Sequence, residues 1–150
     1  MKKFALTLVL MMTLALSGYA EDMTKVWENL KSKKEFIVSD IPAKKAKESG
    51  FETLSVALNS SPSSKDIQKV KKLTATINED QKITEVTQHG VDVAVYGATA
   101  SGDGTLYKVM FVIDKDDNAD KALMVFYGTC LASNLNKALK KMSIEDLIGG

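Results

Sequence analysis

A chain of 150 residues, 45% of them hydrophobic and 26% charged, is long enough to bury one domain-sized core. Its formal net charge is only +1, and all 20 basic residues are lysine. Without arginine it lacks the planar fork that grips phosphate and carboxylate in a bidentate way. That argues against specific nucleic-acid binding and buried anion recognition, although lysine can still hold phosphate as a point charge.

Lys2 and Lys3 precede an apolar run from Phe4 to Leu16, interrupted only by Thr7 and Thr13. Gly18 and Ala20 then place small residues at the two positions a signal peptidase reads before a cut after Ala20. This three-part form predicts a secretory signal peptide over residues 1–20 and a single mature domain over 21–150. The apolar run, roughly 13 residues, is short of the ~20 needed to cross the hydrocarbon core. Leu16-Ser17-Gly18 has the lead-in of a lipoprotein signal, but Tyr19 stands where the lipidated cysteine would be and offers no sulfur nucleophile. The expected address is periplasmic or secreted, with no membrane span after cleavage. Loss of Lys2 and Lys3 leaves 18 Lys against 19 acidic residues, a net charge of −1.

Beyond the signal, Met23, Val26, Trp27 and Leu30 recur at helical spacing and predict an amphipathic helix, with Asp22 or Thr24 as its cap. Phe36-Ile37-Val38 reads as a short strand stopped by Pro42, and AKKAKES as a helical turn ended by Gly50. Leu54, Val56 and Leu58 alternate as a strand with one buried face. NSSPSS, 59–64, is a loop by composition. In 64–89 a helical turn over Asp66 to Lys72 is expected, LTATI (73–77) favours strand, and ITEVT (83–87) reads either way.

VDVAVYGA, TLYKVMFVID and KALMVFYGT are rich in strand formers and separated by TASGDG and KDDNAD. Connections this short make antiparallel hairpins, because a parallel crossover needs a dozen or more residues. In the second run apolar side chains point both ways, Leu106, Met110 and Val112 to one face and Tyr107, Val109, Phe111 and Ile113 to the other. That predicts a central strand. Leu135, Ala138, Leu139 and Met142 line a closing helix, with Ser133 as its cap and Lys137, Lys140 and Lys141 near its negative end. The fold class expected is α+β: an antiparallel sheet of about four to five strands with helices packed on one face.

The candidates for chemistry are few. Asp114, Asp116 and Asn118 match positions 1, 3 and 5 of a calcium loop, but Ala119 replaces the turn glycine and Val125 the bidentate glutamate. A solvated hairpin turn accounts for DKDDNAD, with a weak surface cation site over 114–120 as the alternative. ASGDGT, 100–105, lacks the lysine and helix start of a phosphate loop and reads as a turn. Cys130 is the lone cysteine, so an internal disulfide is excluded; within FYGTCLA it is expected to pack as a small apolar side chain rather than to pair between chains. His89, the lone histidine, could formally pair with Cys130, but no spacing supports a nucleophile pair or a transition-metal cluster. Glu79-Asp80 and Asp116-Asp117 sit in polar turns where desolvation is weak. The lysine runs KSKK, KKAK and KVKK lack interleaved aromatics and read as solvated faces.

Residues 91–142 carry a resemblance. Tyr96-Gly97 ends one strand, Ile113-Asp114 ends the next, the acidic turn at Asp116-Asp117 follows, then a strand reaching Gly128 and the helix from Ser133. This block resembles the C-terminal half of a family of short exported Bacteroidetes proteins of unknown function. The resemblance implies an envelope or secreted address and supplies no catalytic residue.

The expected function is therefore that of an exported, non-enzymatic binding module with no catalytic, cofactor or metal residues assigned, contacting an envelope protein or glycan. The alternatives are a small hydrolase using carboxylates or Cys130, which requires convergent ionisable groups in one pocket, and a small-ligand or cation carrier.

Overall fold

The computed structural model describes residues 21–77, 79–88, 90–117 and 120–141. The expected signal peptide, His89, the turn residues 118–119 and Met142 lie outside them. Among the described residues no helix is long and apolar enough to cross a membrane.

Helix α1, Glu21–Lys31, buries the expected stripe of Met23, Val26, Trp27 and Leu30. Glu21 is already helical, so Asp22 and Thr24 lie within it rather than at a cap. Strand β1, Ile37–Asp40, is stopped by Pro42, which opens helix α2, Ala43–Glu48. Gly50 follows at φ +93°, a conformation that L side chains rarely adopt, and lets the Phe51 N–H bond back to the Ala46 carbonyl. A Cβ there would also lie 2.8 Å from the Ala138 backbone nitrogen, so glycine is required twice. Strand β2, Thr53–Asn59, then leads to helix α3, Ser64–Thr74.

The N-terminus of α3 is built from the NSSPSS loop. Ser63 Oγ accepts from the Asp66 N–H at 3.2 Å, and Asp66 Oδ2 accepts from the Ser63 N–H at 3.0 Å, a reciprocal capping box. Asn59, buried at the end of β2, donates to the same carboxylate and accepts from the Ser61 N–H. These bonds hold the Asp66 carboxyl below its ordinary range, the Ser63 N–H contributing most. The helix takes in Leu73 and Thr74, and residues 75–77 turn back on it. LTATI is thus helix end and turn, not strand, because Val70 and Ile77 bury onto the sheet from it.

Four strands complete the sheet: β3, Lys82–Gln88; β4, Val91–Thr99; β5, Leu106–Asp117; and β6, Asp120–Leu131. The order is β1-β2-β6-β5-β4-β3 and every pairing is antiparallel. The meander β3–β6 therefore closes against the β1–β2 pair, and α3 carries the chain across one face from one side to the other. Six strands exceed the expected four to five because both the ITEVT segment and the short 37–40 run pair at opposite edges.

Both sheet faces are apolar, which is what makes β5 central. Val109, Phe111 and Ile113 pack on one face with Val93, Val95, Cys130 and Leu54; Met110 packs on the other with Leu123, Val125 and Tyr96. The two eleven-residue helices, α1 and α3, share the second face. The expected packing of helices on one face alone does not hold, because the first face is apolar too and must also be covered. Two short helices go to the first face: α2 supplies Ala46, and α4, Leu135–Lys141, supplies Leu135 and Ala138. Ser133 lies in a 3-10 turn before α4 rather than at its cap. Each fully buried large side chain on these faces contributes on the order of 1.5–3 kcal/mol.

Candidate functional site

Between the last turns of α3 and the sheet lies a cleft of about 470 Å³. Strands β4 and β5 form its floor, Thr74, Ala75 and Ile77 its roof, and Glu79 with Lys82 and Glu85 of β3 its far side. Ala94 and Val112 face each other in register on the floor, and two residues farther along each strand Asp92 faces Asp114. Alternation puts all four side chains on the face shared with Met110 and Tyr96.

Directly opposed like charges on neighbouring strands destabilise a sheet. The Asp92–Asp114 pair is thus a local conflict in an otherwise consistent hairpin. Burial pushes the Asp114 carboxyl above its ordinary range; Lys71 of α3 opposes the shift, and the charges of Asp92 and Asp116 add to it. Asp114 Oδ1 is shielded from solvent and accepts no hydrogen bond.

The opposite end of the cleft is balanced instead. Lys82 forms an ion pair with Glu85, and this bond raises its pKa despite partial burial. Tyr96 is buried there, and desolvation pushes its phenol up while a hydrogen bond with Thr74 and the charge of Lys82 draw it down. One end of the cleft therefore pairs Lys82 with Glu85, while the other brings Asp92 and Asp114 into register.

The sites weighed from sequence fall out unequally. Asp114 and Asp116 lie on strand β5, not around a loop, and Asp116 sits 3.8 Å from Lys121 on β6. Among the described residues no three His, Cys, Asp or Glu side chains are grouped to hold a metal. ASGDGT is a hairpin turn: Asp103 accepts from the Ser101 hydroxyl, the Thr105 hydroxyl and the Thr105 N–H, which draws its carboxyl down to about 2. Gly104, at φ +72°, closes that turn. Cys130 is fully buried among Leu54, Phe111 and Ala138, and desolvation pushes its thiol up to about 12, helped by Glu52. A thiol so placed is neither a ready nucleophile nor exposed for pairing between chains.

Among the charged residues of the cleft, Asp92, Lys71, Lys82 and Glu85 were not singled out by sequence. Asp92 reads as the polar position of an alternating strand, and Lys71 as part of the solvated KVKK run. A signal for Asp92 exists in the hairpin itself. Thr99 pairs with Tyr107 beside the turn, and seven residues out from each of them stand Asp92 and Asp114. Counting outward from the turn brings the two acids together once the register is known.

No family model, curated protein or solved structure matches this chain. The resemblance over residues 91–142 therefore rests on its strand-end and turn residues alone.

Proposed function

We propose that this protein is an exported, non-enzymatic binding domain of the periplasm or extracellular space, and that its ligand is a small molecule seated in the cleft beneath α3. The observation that carries the reading is the cleft itself, a concave site with an apolar floor and a few convergent polar groups. A flat protein- or glycan-contacting patch draws less support. The exposed large hydrophobics among the described residues are Ile37 and Leu131, which lie near opposite ends of the strands in the sheet register. The export half of the reading is supported by the signal-like sequence of residues 1–20 and by the resemblance over residues 91–142.

A thermal-shift screen of the mature chain against small amines, acids, sugars and amphiphiles tests the ligand half. At least one compound should raise the Tm of the parent and leave the folded Ala94→Leu variant, whose cleft floor is filled, unchanged. A screen with no such compound overturns the reading. For export, N-terminal sequencing of protein recovered outside the cytoplasm should begin at Glu21; retention of the uncut chain inside the cell counts against it.

A second reading, a small hydrolase using the two carboxylates, draws on the same pair, because a carboxyl that burial raises, as in Asp114, suits a general-acid role. Turnover separates the two: a binding domain saturates with its ligand and returns it unchanged.

A further inference from the structure

We propose that the nine residues after α4, Met142 to Gly150, dock as a short helix on the apolar half of the first sheet face, over Met124 and Phe126. That half is built from neighbours in register: Ile37 of β1 faces Leu58 of β2, Leu58 faces Met124 of β6, and Val56 faces Phe126. Alternation puts all five on the face that carries Phe111 and Ile113, which pair with Phe126 and Met124 in turn. Phe111 and Ile113 are buried, whereas Ile37 is 70% exposed and the other four are only half-buried. A contiguous, incompletely covered apolar surface marks a docking site.

Reach and sequence select the occupant. Gly50, just past α2, lies against the Ala138 backbone of α4, and Phe51 and Leu54 lie against Gly128. Phe126 and Met124 stand two and four residues from Gly128 along β6, about 7 and 13 Å away. The chain leaves α4 at Lys141, one turn beyond Ala138, and a nine-residue helix is about 13 Å long, so the segment can span this distance. Its sequence, MSIEDLIGG, places Ile144, Leu147 and Ile148 on one helical face. Ser143 stands three residues before Asp146, the spacing with which Ser63 and Asp66 cap α3. Gly149 follows the last apolar residue, where helices commonly stop. A helix this short is unstable alone in water and forms only against an apolar surface, which the half-covered face supplies. Its tether holds the segment at an effective concentration on the order of millimolar, an advantage that a second copy of the chain in dilute solution lacks.

The test is NMR of the chain from Glu21 to Gly150, with Ile, Leu and Met methyls labelled, at a high and a low protein concentration. Nuclear Overhauser contacts should join the Leu147 or Ile148 methyls to the Met124 methyl and the Phe126 ring at both concentrations. Leu147→Asp should abolish them and shift the Met124 and Leu58 methyl signals. The newly bared face should also raise the fluorescence of added anilinonaphthalene sulfonate roughly twofold or more. Amide signals of β4 and β5 report whether that variant keeps its sheet; the milder Leu147→Ala should give a smaller change in the same direction if it does not. Random-coil signals for 142–150 without such contacts, or Met124 and Leu58 signals unmoved by Leu147→Asp, overturn the docking. Contacts seen only between a labelled and an unlabelled chain, or lost on dilution, overturn it in favour of a second copy. The cleft beneath α3 lies on the other face, so its reading stands or falls separately.

Discussion

Under α1, the sheet face buries its polar atoms in company. Trp27 stacks on Tyr127 with ring centroids 5.3 Å apart. The Tyr127 and Thr24 hydroxyls share a hydrogen bond of 2.8 Å, and Lys108 donates to Thr24 Oγ1 at 2.9 Å while its ammonium lies 5.7 Å from the Tyr127 ring centre. Farther across the same face, under α3, Asp92 and Asp114 meet head-on and Asp114 Oδ1 has no hydrogen-bond partner. The first arrangement satisfies each group it buries and so reads as architecture. The second leaves a conflict standing beside a cavity, which is where a fold departs from local consistency for a purpose other than stability.

The sharpest way to break this comparison is to empty the dry end. Trp27→Ala removes a ring that is almost fully buried and should cost about 3–5 kcal/mol in urea denaturation. A loss of under ~1 kcal/mol, closer to that of a surface substitution, would mean that α1 does not seal this end of the sheet. A smaller effect is expected from Ser63→Ala, which removes the cap of α3 without touching the cleft and should cost about 1 kcal/mol. Unchanged stability there would show that α3 is held by its apolar face alone.

The smallest effect has the opposite sign. Asp114 binds its proton more tightly in the folded chain than in the unfolded one, so its ionised form opposes folding. That penalty is absent below the ordinary carboxylate range, grows as the pH rises through it, and is complete above the raised folded value. Asp114→Asn should therefore stabilise the chain at pH 7 by a few tenths of a kcal/mol, up to ~1, and the gain should vanish near pH 3. Denaturation curves of both proteins at the two pH values check this. A destabilised Asn variant at pH 7 would mean that the carboxylate is structurally satisfied after all, and would align the two ends of the face.

Much of the framework was legible because it depends on local periodicity and turn chemistry. The α1 stripe, the two hairpins after Gly90, the Pro42 break and the central position of β5 all follow from which side chains are apolar and how few residues connect them. ITEVT could not be resolved in this way, since its alternation suits either element, and pairing with β4 decided it. LTATI misled for a related reason: β-branched residues favour strands in general, yet here Thr74 and Ile77 are placed by a capped helix that buries its apolar side. Cys130 was legible as a packed side chain because its neighbours are apolar, and the fold buries it completely.

The sequence by itself determined the α+β class, the antiparallel C-terminal strands and the burial of the lone cysteine, because side-chain polarity and turn residues act over a few positions. Tertiary structure alone decided that β6 pairs with β2, that α3 crosses the face to roof a cleft, and that Asp92, Asp114 and Lys71 line it together. Those residues are separated by about twenty positions from one to the next along the chain. No local pattern can register a repulsion that exists only once the hairpin register and the helix crossing have both been set.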